Sequence, residues 1–312
     1  MAVWKLEPVR QNLHGHFSRD LAPVLTIQSG DTVIYQTLDA AWNRRPRRFE
    51  GDVADKFQPV QAGLDNGHCL VGPVAIADAH PGMTLEIRID EIRTGTLGWT
   101  SSAGWSHEVH KRLGISDPPE VTHFWSLDPD LLLGRNQFGH EIDLHPFMGV
   151  MGMPPCEVGI HPTAPPRPTG GNLDCKELVK GTNLFLPISV PGALFSVGDG
   201  HAAQGDGEVC VTAIECPMDH VELTFFLHPD MKIVNPRIKT PTAWITLGTH
   251  EDLDEATFIA LEEMLMVMGE LYGLDRRNAL ALASNVVDMR ITQIVNGVKG
   301  AHAILPHNAI RT

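Results

Sequence analysis

The sequence predicts a mainly β protein that ends in an α+β element. Its 29 Gly and 23 Pro are spread along 312 residues rather than clustered, the pattern of many short strands joined by turns. Leu85, Ile87 and Ile89 alternate with Glu86, Arg88 and Asp90, which gives a strand one buried and one wet face. Helical periodicity is confined to the C-terminal part, where Phe258, Leu261, Leu265 and Met268 recur at the spacing of one helix face.

The elements follow in order. VLTIQ, the turn Ser29-Gly30-Asp31 and TVIYQTL read as two strands with the turn chemistry of a hairpin. Strand, turn, strand returns over Gly72–Ile92 and in LVKGTNLFLPISV, without the fixed period of a solenoid. From Thr94 to Phe138, GTLGWTSSAGWSHEVH reads as a long loop, of the kind that serves as a lid or an interface. Trp99, Trp105 and Trp125 argue against disorder there. The run Leu184–Val197 carries Pro187 and Pro191, so it cannot be helical. A helix is expected over Glu251–Tyr272, started by Asp252 or Asp254 and stopped by Gly273. A second starts at Asp275 and runs through Leu282, and VVDMRITQIV returns to strand.

Composition narrows the function. A net charge of -14 argues against a nucleic-acid partner, which needs a basic face. The densest basic cluster, Arg44, Arg45, Arg47 and Arg48, reads as a solvated loop before an anion site. A small neutral substrate suits such a protein, since it needs no steering field. Five cysteines without a C-x-x-C pair point to a reducing compartment and no disulfide framework. The N-terminal residues lack an apolar signal core, and the longest apolar run is too short to span a bilayer. The expectation is a cytoplasmic protein with no membrane partner.

The chemistry concentrates between Thr169 and Cys216, which holds Asp174, Glu177, Asp199, His201, Asp206, Glu208 and Glu215 around two Gly-rich turns. In an extended segment, positions two apart point to one side, so Asp199 with His201, and Asp206 with Glu208, can each present two groups together. One imidazole among carboxylates suits a divalent metal such as zinc, while Asp and Gly are equally the stock of tight turns. His68 stands beside an apolar run, where a buried, satisfied histidine is the commoner outcome. His14 and His16 have the spacing of a strand metal pair. Cys175-Lys176-Glu177 offers a thiol with its own acid and base, but neighbours on a strand point to opposite faces. There is no G-x-S-x-G elbow, H-E-x-x-H or P-loop.

Taken together, HGHFS, LTIQSGDTVIYQTLDA, HCLVGP, HPFMGVMG, GGNLDCKEL and GALFSVGDGHAAQGDGE resemble the acetamidase/formamidase family, over nearly the whole chain. The resemblance implies intertwined β-sandwich and small β-barrel-like parts, a C-terminal α+β element, and a homodimer. Approximate divisions fall at 1–155, 156–236 and 237–312, with the acidic and His residues in the second. It also implies hydrolysis of short aliphatic amides, a small neutral substrate class, to carboxylate and ammonia. By residue it points to His68, Asn172, Asp174, Asp199, His201, Gln204, Asp206, Glu208 and Glu215. On that basis the expected metal, zinc with calcium as a structural alternative, is held by His68, Asp174, Asp199 and His201. Glu208 is the expected base, with Asp206 beside it; Asn172 and Gln204 contact the amide or its oxyanion, and Glu215 the substrate. The alternatives are a metal-free amidase, a hydrolase of another linear C–N substrate, and a non-catalytic small-molecule binding protein with a structural metal.

Overall fold

The structure, a computed structural model, describes residues 1–117 and 119–311. Two large sheets share one core. The larger has nine strands, in the order Val3–Leu6, Thr32–Thr37, Met218–His228, Thr84–Thr94, Asn183–Pro187, Arg237–Lys239, Ala243–His250, Lys299–Pro306 and Asp288–Gln293. All its pairings are antiparallel except the first. The second sheet runs Gly170–Asn172, Phe147–Gly152, Phe195–His201, Leu70–Ile76 and Leu13–His14, with Leu25–Ile27 added parallel to Leu70–Ile76. Val33, Ile87 and Phe225 of the first sheet and Val74, Phe195 and Val197 of the second are fully buried in one cluster. The Phe195 and Phe225 rings meet edge to face at 5.1 Å. This is the sandwich arrangement; among the described residues no sheet closes into a barrel.

The strands lie where alternation placed them, but their pairing differs. Leu25–Ile27 and Thr32–Thr37 do not form a hairpin; they belong to different sheets. The turn between them is a corner held by Asp31, whose carboxylate accepts from the Gln28 and Ala2 N–H groups. Leu70–Ile76 and Thr84–Thr94 are split between the sheets in the same way. Period-2 alternation identifies a strand but not its partner, because either sheet can bury the apolar face.

The Trp-rich stretch is not a loop. Leu97–Ser102 pairs with Val121–Asp128 in a four-stranded sheet completed by Leu133–Asn136 and Glu141–Asp143. Helix α1, Glu108–Leu113, sits within that connection. Leu97–Ser102 is short and carries Gly98, Ser101 and Ser102, so its apolar pattern is weak.

The C-terminal element matches its sequence signals. Helix α2 covers Leu253–Tyr272; the Asp252 carboxylate accepts from the Asp254 and Glu255 N–H groups, and Gly273 closes it with φ 66°. Asp275 caps helix α3, Arg276–Val286, in the same way. Leu265 and Met268 are buried, whereas Phe258, on the expected apolar face, is exposed. Gly248 permits α2 to lie on the sheet, since a side chain there would strike the Ala256 carbonyl and Ala260 N–H. Among the described residues no helix is long and apolar enough to cross a membrane.

His14 and His16 are not a metal pair. The buried His14 donates from Nδ1 to the His16 carbonyl (2.7 Å) and accepts at Nε2 from the Ser196 hydroxyl (2.9 Å). His16 Nδ1 bonds the Leu64 carbonyl. Burial lowers the His14 pKa from 6.5 to about 4. Between those values the unfolded chain binds more protons, so stability present above 6.5 is lost as the pH falls toward 4. The ceiling is about 3 kcal/mol. Urea unfolding at pH 7 and pH 5 should show the wild type losing about 2 kcal/mol more than His14→Gln. Equal losses would mean that His14 does not set acid sensitivity.

Candidate active site and metal centre

The strand Phe195–His201 carries the centre of the site. Asp199 and His201 lie two apart on it, and His201 Nε2 stands 3.2 Å from Asp199 Oδ1. Phe147–Gly152 pairs alongside, with Phe147 opposite His201 and Val150 opposite Gly198. Gly149 therefore faces the site: a Cβ there would lie 2.7 Å from Asp199 Oδ2, 2.8 Å from Asp174 Oδ1 and 2.8 Å from His201 Cε1. Only glycine leaves room for those groups.

Glu215 joins from the other side. It pairs with both His201 and Trp99 through isolated bridges, and its Oε1 lies 3.4 Å from His201 Nε2. Directly opposed residues on antiparallel strands point to one face. Trp99, Glu215, His201 and Phe147 thus form a row across four chain segments, and the Phe147 ring meets His201 edge to face at 5.0 Å. Glu208 enters from the turn at Gly205–Glu208, which the Thr292 carbonyl holds through the Gly207 N–H.

Five ionisable groups are consequently buried together: Asp174, Asp199, His201, Glu208 and Glu215 are each at most 6 % exposed. Ligand atoms of Asp174, Asp199 and His201, and separately of His201, Glu208 and Glu215, lie within 4.8 Å of one another. Asp174 Oδ1, Glu208 Oε2 and Glu215 Oε2 are buried with no hydrogen-bond partner. Asp174, Asp199 and Glu208 also hold left-handed φ values of 48°, 59° and 46°, the kind of backbone strain that gathers at functional sites.

Gln204 settles the histidine. Its Nε2 donates to the Asp174 carbonyl (2.7 Å), so its Oε1 must accept, and His201 Nδ1–H donates to it (2.9 Å). Nε2 then faces two carboxylates and needs either a second proton or a cation. Burial alone would lower the His201 pKa, but Glu215 and Asp199 raise it well above the ordinary value. Burial likewise opposes charge on Asp199, yet the His201 and His68 charges and the His201 hydrogen bond hold its carboxyl below the usual range. Burial and the Asp199 charge push Asp174 up to about 7. Burial and Asp174 push Glu208 well above the usual carboxylate range, and burial raises Glu215. The cluster carries more acid groups than it can ionise alone.

The remaining expected residues fall outside that knot. His68 is half-buried, near enough that its charge lowers the pKa of Asp174 and Asp199, and its Nδ1 has no partner. Asn172 pairs with Val150, so it stands on the face opposite Gly149, and its amide donates to the Ala164 carbonyl. Asp206 does not share a side with Glu208: the segment is a turn rather than a strand, and Asp206 faces Lys176 (3.4 Å) and Arg290 (3.7 Å). Cys175 is buried, and that burial pushes its thiol up to about 12, which favours the protonated form.

Asn296 and Gly149 are additions. Asn296 Nδ2 donates to Asp174 Oδ2 at 2.6 Å. Its turn is braced by Gln293 Oε1, which accepts from the Val295 and Asn296 N–H groups. In sequence it is an Asn-Gly turn pair far from the acidic segment, so only tertiary structure reveals it.

The arrangement fits a divalent metal. It offers one imidazole Nε2, several carboxylates and unpartnered buried oxygens, with Gly149 clearing the space between them. Gly149→Ala should leave the fold intact but lower zinc affinity at least tenfold, as read by equilibrium dialysis with elemental analysis. Unchanged affinity would show that no metal sits beneath Gly149.

The model of the Acetamidase/Formamidase family matches residues 4–161 and 156–309. The acetamidase of Bacillus halodurans superposes with a TM-score of 0.83 at 29% identity, over 97% of this chain and 97% of that one. The predicted acetamidase/formamidase of Thermoanaerobacter tengcongensis gives a TM-score of 0.84 at 24% identity, over 98% of this chain and 96% of that one. A Schizosaccharomyces pombe protein named as a formamidase is 25% identical over 249 residues, 64% of this chain and 60% of its own length. This chain thus spans less than two thirds of that relative.

Proposed function

The chain belongs to the acetamidase/formamidase family, and from that premise we propose that it hydrolyses short aliphatic amides to a carboxylate and ammonia at the buried acidic cluster. The observation that carries the reading is His201 Nε2: with Nδ1 committed to Gln204, it faces Asp199 and Glu215 at 3.2 and 3.4 Å. Those atoms call for a second proton or a cation, and the unpartnered buried oxygens beside them favour the cation. His201, Asp174 and Asp199, with His68 beside them, would hold it, and the imidazole favours zinc over calcium, which takes oxygen ligands. When bound, the metal would supply Lewis acidity at the amide carbonyl and lower the pKa of water toward ~7.

The chain's own groups do the rest. Glu208 Oε2 has no protein partner; it takes the proton from the attacking water and delivers it to the departing nitrogen. The C–O bond forms first, giving a tetrahedral adduct; its collapse breaks the C–N bond, ammonia leaves with that proton, and the carboxylic acid formed gives up its remaining proton to solvent. Gln204 fixes the imidazole tautomer and tethers the Asp174 backbone, so it positions rather than reacts. Asn296 holds the second oxygen of Asp174. Glu215, anchored through Oε1 to the Ala213 N–H, sets a carboxyl oxygen against Nε2.

The purified protein should release ammonia from formamide or acetamide, lose that activity on chelation and regain it with zinc. Release untouched by exhaustive metal removal, checked by elemental analysis, would overturn the metal. Glu208→Gln should lower kcat by about 10²–10⁴-fold at unchanged metal content. Loss of the metal instead would make Glu208 a ligand.

A further inference from the structure

The turn that carries Asn296 is held from two sides. Gln293 Oε1 braces it from its own strand, accepting from the Val295 and Asn296 N–H groups. From the Trp-rich region, 188 positions earlier, His107 Nε2 meets the Val295 carbonyl at 2.8 Å. The tautomer of that ring is fixed. Nδ1 accepts from the Val109 N–H as the N-cap of α1, so Nε2 carries the proton and donates to Val295. One neutral imidazole caps its own helix with one nitrogen and grips a distant turn with the other.

The segment that presents His107 is closed on itself. His110 is buried, its ring meets Trp105 edge to face at 4.4 Å, and its Nε2 accepts from the Ala103 N–H at 3.4 Å. The Ile115 N–H returns to the His110 carbonyl, and the Gly104 N–H to the Ile115 carbonyl. The strand leading into the segment is tied down as well. Trp99 and Glu215 exchange N–H and C=O bonds, and the Thr100 hydroxyl donates to the Ala213 carbonyl at 2.7 Å. The Trp-rich region therefore reaches the acidic cluster at two places: at Glu215 through Trp99, and at the Asn296 turn through His107.

We infer that His107 is a positioning residue for Asp174, acting through Val295 and Asn296. Asn296 Nδ2 takes up Asp174 Oδ2 at 2.6 Å and leaves Oδ1, the oxygen beneath Gly149, without a partner. The direction of that free oxygen depends on where the turn stands. Gln293 fixes the N–H groups of the turn, and His107 fixes its Val295 carbonyl. The inference rests on the metal-hydrolase reading and deepens it, since it makes the Trp-rich region a support for a ligand of the metal.

Two substitutions separate the two nitrogens of the ring. His107→Asn keeps a capping oxygen near the place of Nδ1 but is too short to reach Val295. His107→Gln carries an amide N–H near the place of Nε2. His107→Asn should lower zinc affinity about tenfold, the low end for a residue standing behind a metal ligand, as read by equilibrium dialysis, and His107→Gln should restore most of it. On an Asn296→Ala background, His107→Asn should lower the affinity no further. Undiminished affinity in His107→Asn, no recovery in His107→Gln, or a further fall on the Asn296→Ala background would overturn the inference. Hydrogen exchange at the Val295 and Asn296 amides separates it from the hydrolase reading. If the protein neither binds zinc nor releases ammonia, exchange that quickens in His107→Asn and recovers in His107→Gln still supports the hold on the turn of Asn296, and equal exchange in all three proteins sinks it.

Discussion

Asp174, Asp199, Glu208 and Glu215 share one buried space with a single imidazole, and they cannot all ionise there without help. Taking charges out of water costs several kcal/mol each unless they are paired. Three of the carboxylates keep an oxygen with no partner, so the protein leaves the balance to protons or a metal. That deficit explains why local backbone cost is accepted: three acidic residues with left-handed φ and a glycine where a methyl would collide. A fold optimised for stability alone would fill this space with apolar side chains.

The rest of the scaffold keeps those groups converged. The strand Phe195–His201 presents two of them, and neighbours on either side contribute Gly149 and Glu215. The loops at Asp174 and Glu208 need an external hold, which the C-terminal strand provides. Arg290 pairs with Glu177 at 2.9 Å and approaches Asp206, and Thr292 anchors Gly207. Lys176 adds a second contact to Asp206. Asp206 therefore sits among the ties that fix the loop rather than in the acidic knot. The α+β element is part of the site architecture, through Asn296 and this clamp, although it lies a hundred residues away in sequence.

Local order was legible where one physical rule acts alone. Asp252, Gly273 and Asp275 mark helix ends because each satisfies backbone groups within one turn. Asp199 and His201 converge because a strand has a period of two. The same rule failed for Asp206 and Glu208, because the Gly-rich segment turns; Asn172, named from the resemblance alone, pairs with Val150 and so stands on the face opposite Gly149. Partner choice was illegible: Leu25–Ile27 and Thr32–Thr37 look like a hairpin but separate into two sheets. Asn296 and Gly149 carry no local signature, since one acts through a tertiary contact and the other through the absence of a side chain. The fold class and the acidic segment were therefore readable, and all five residues of the buried cluster were among those named from it, while the separation of Asp206 and Asn172 from them was not.

Cys175 shows how burial selects the chemistry. It adjoins Asp174 and is as deeply buried, yet the two groups respond differently. The thiol has no cation to stabilise its anion, and negative neighbours add to the desolvation, so it stays protonated. Asp199 meets the same desolvation but faces His201, and its carboxyl falls below the usual range. Asp174 lies between these cases, opposed by Asp199 and aided by the histidines. Burial thus keeps the thiol protonated while spreading the neighbouring carboxylates over different proton affinities. Asp174, Glu208 and Glu215 each keep a buried oxygen without a partner, and those are the atoms the arrangement leaves open to a proton or a metal.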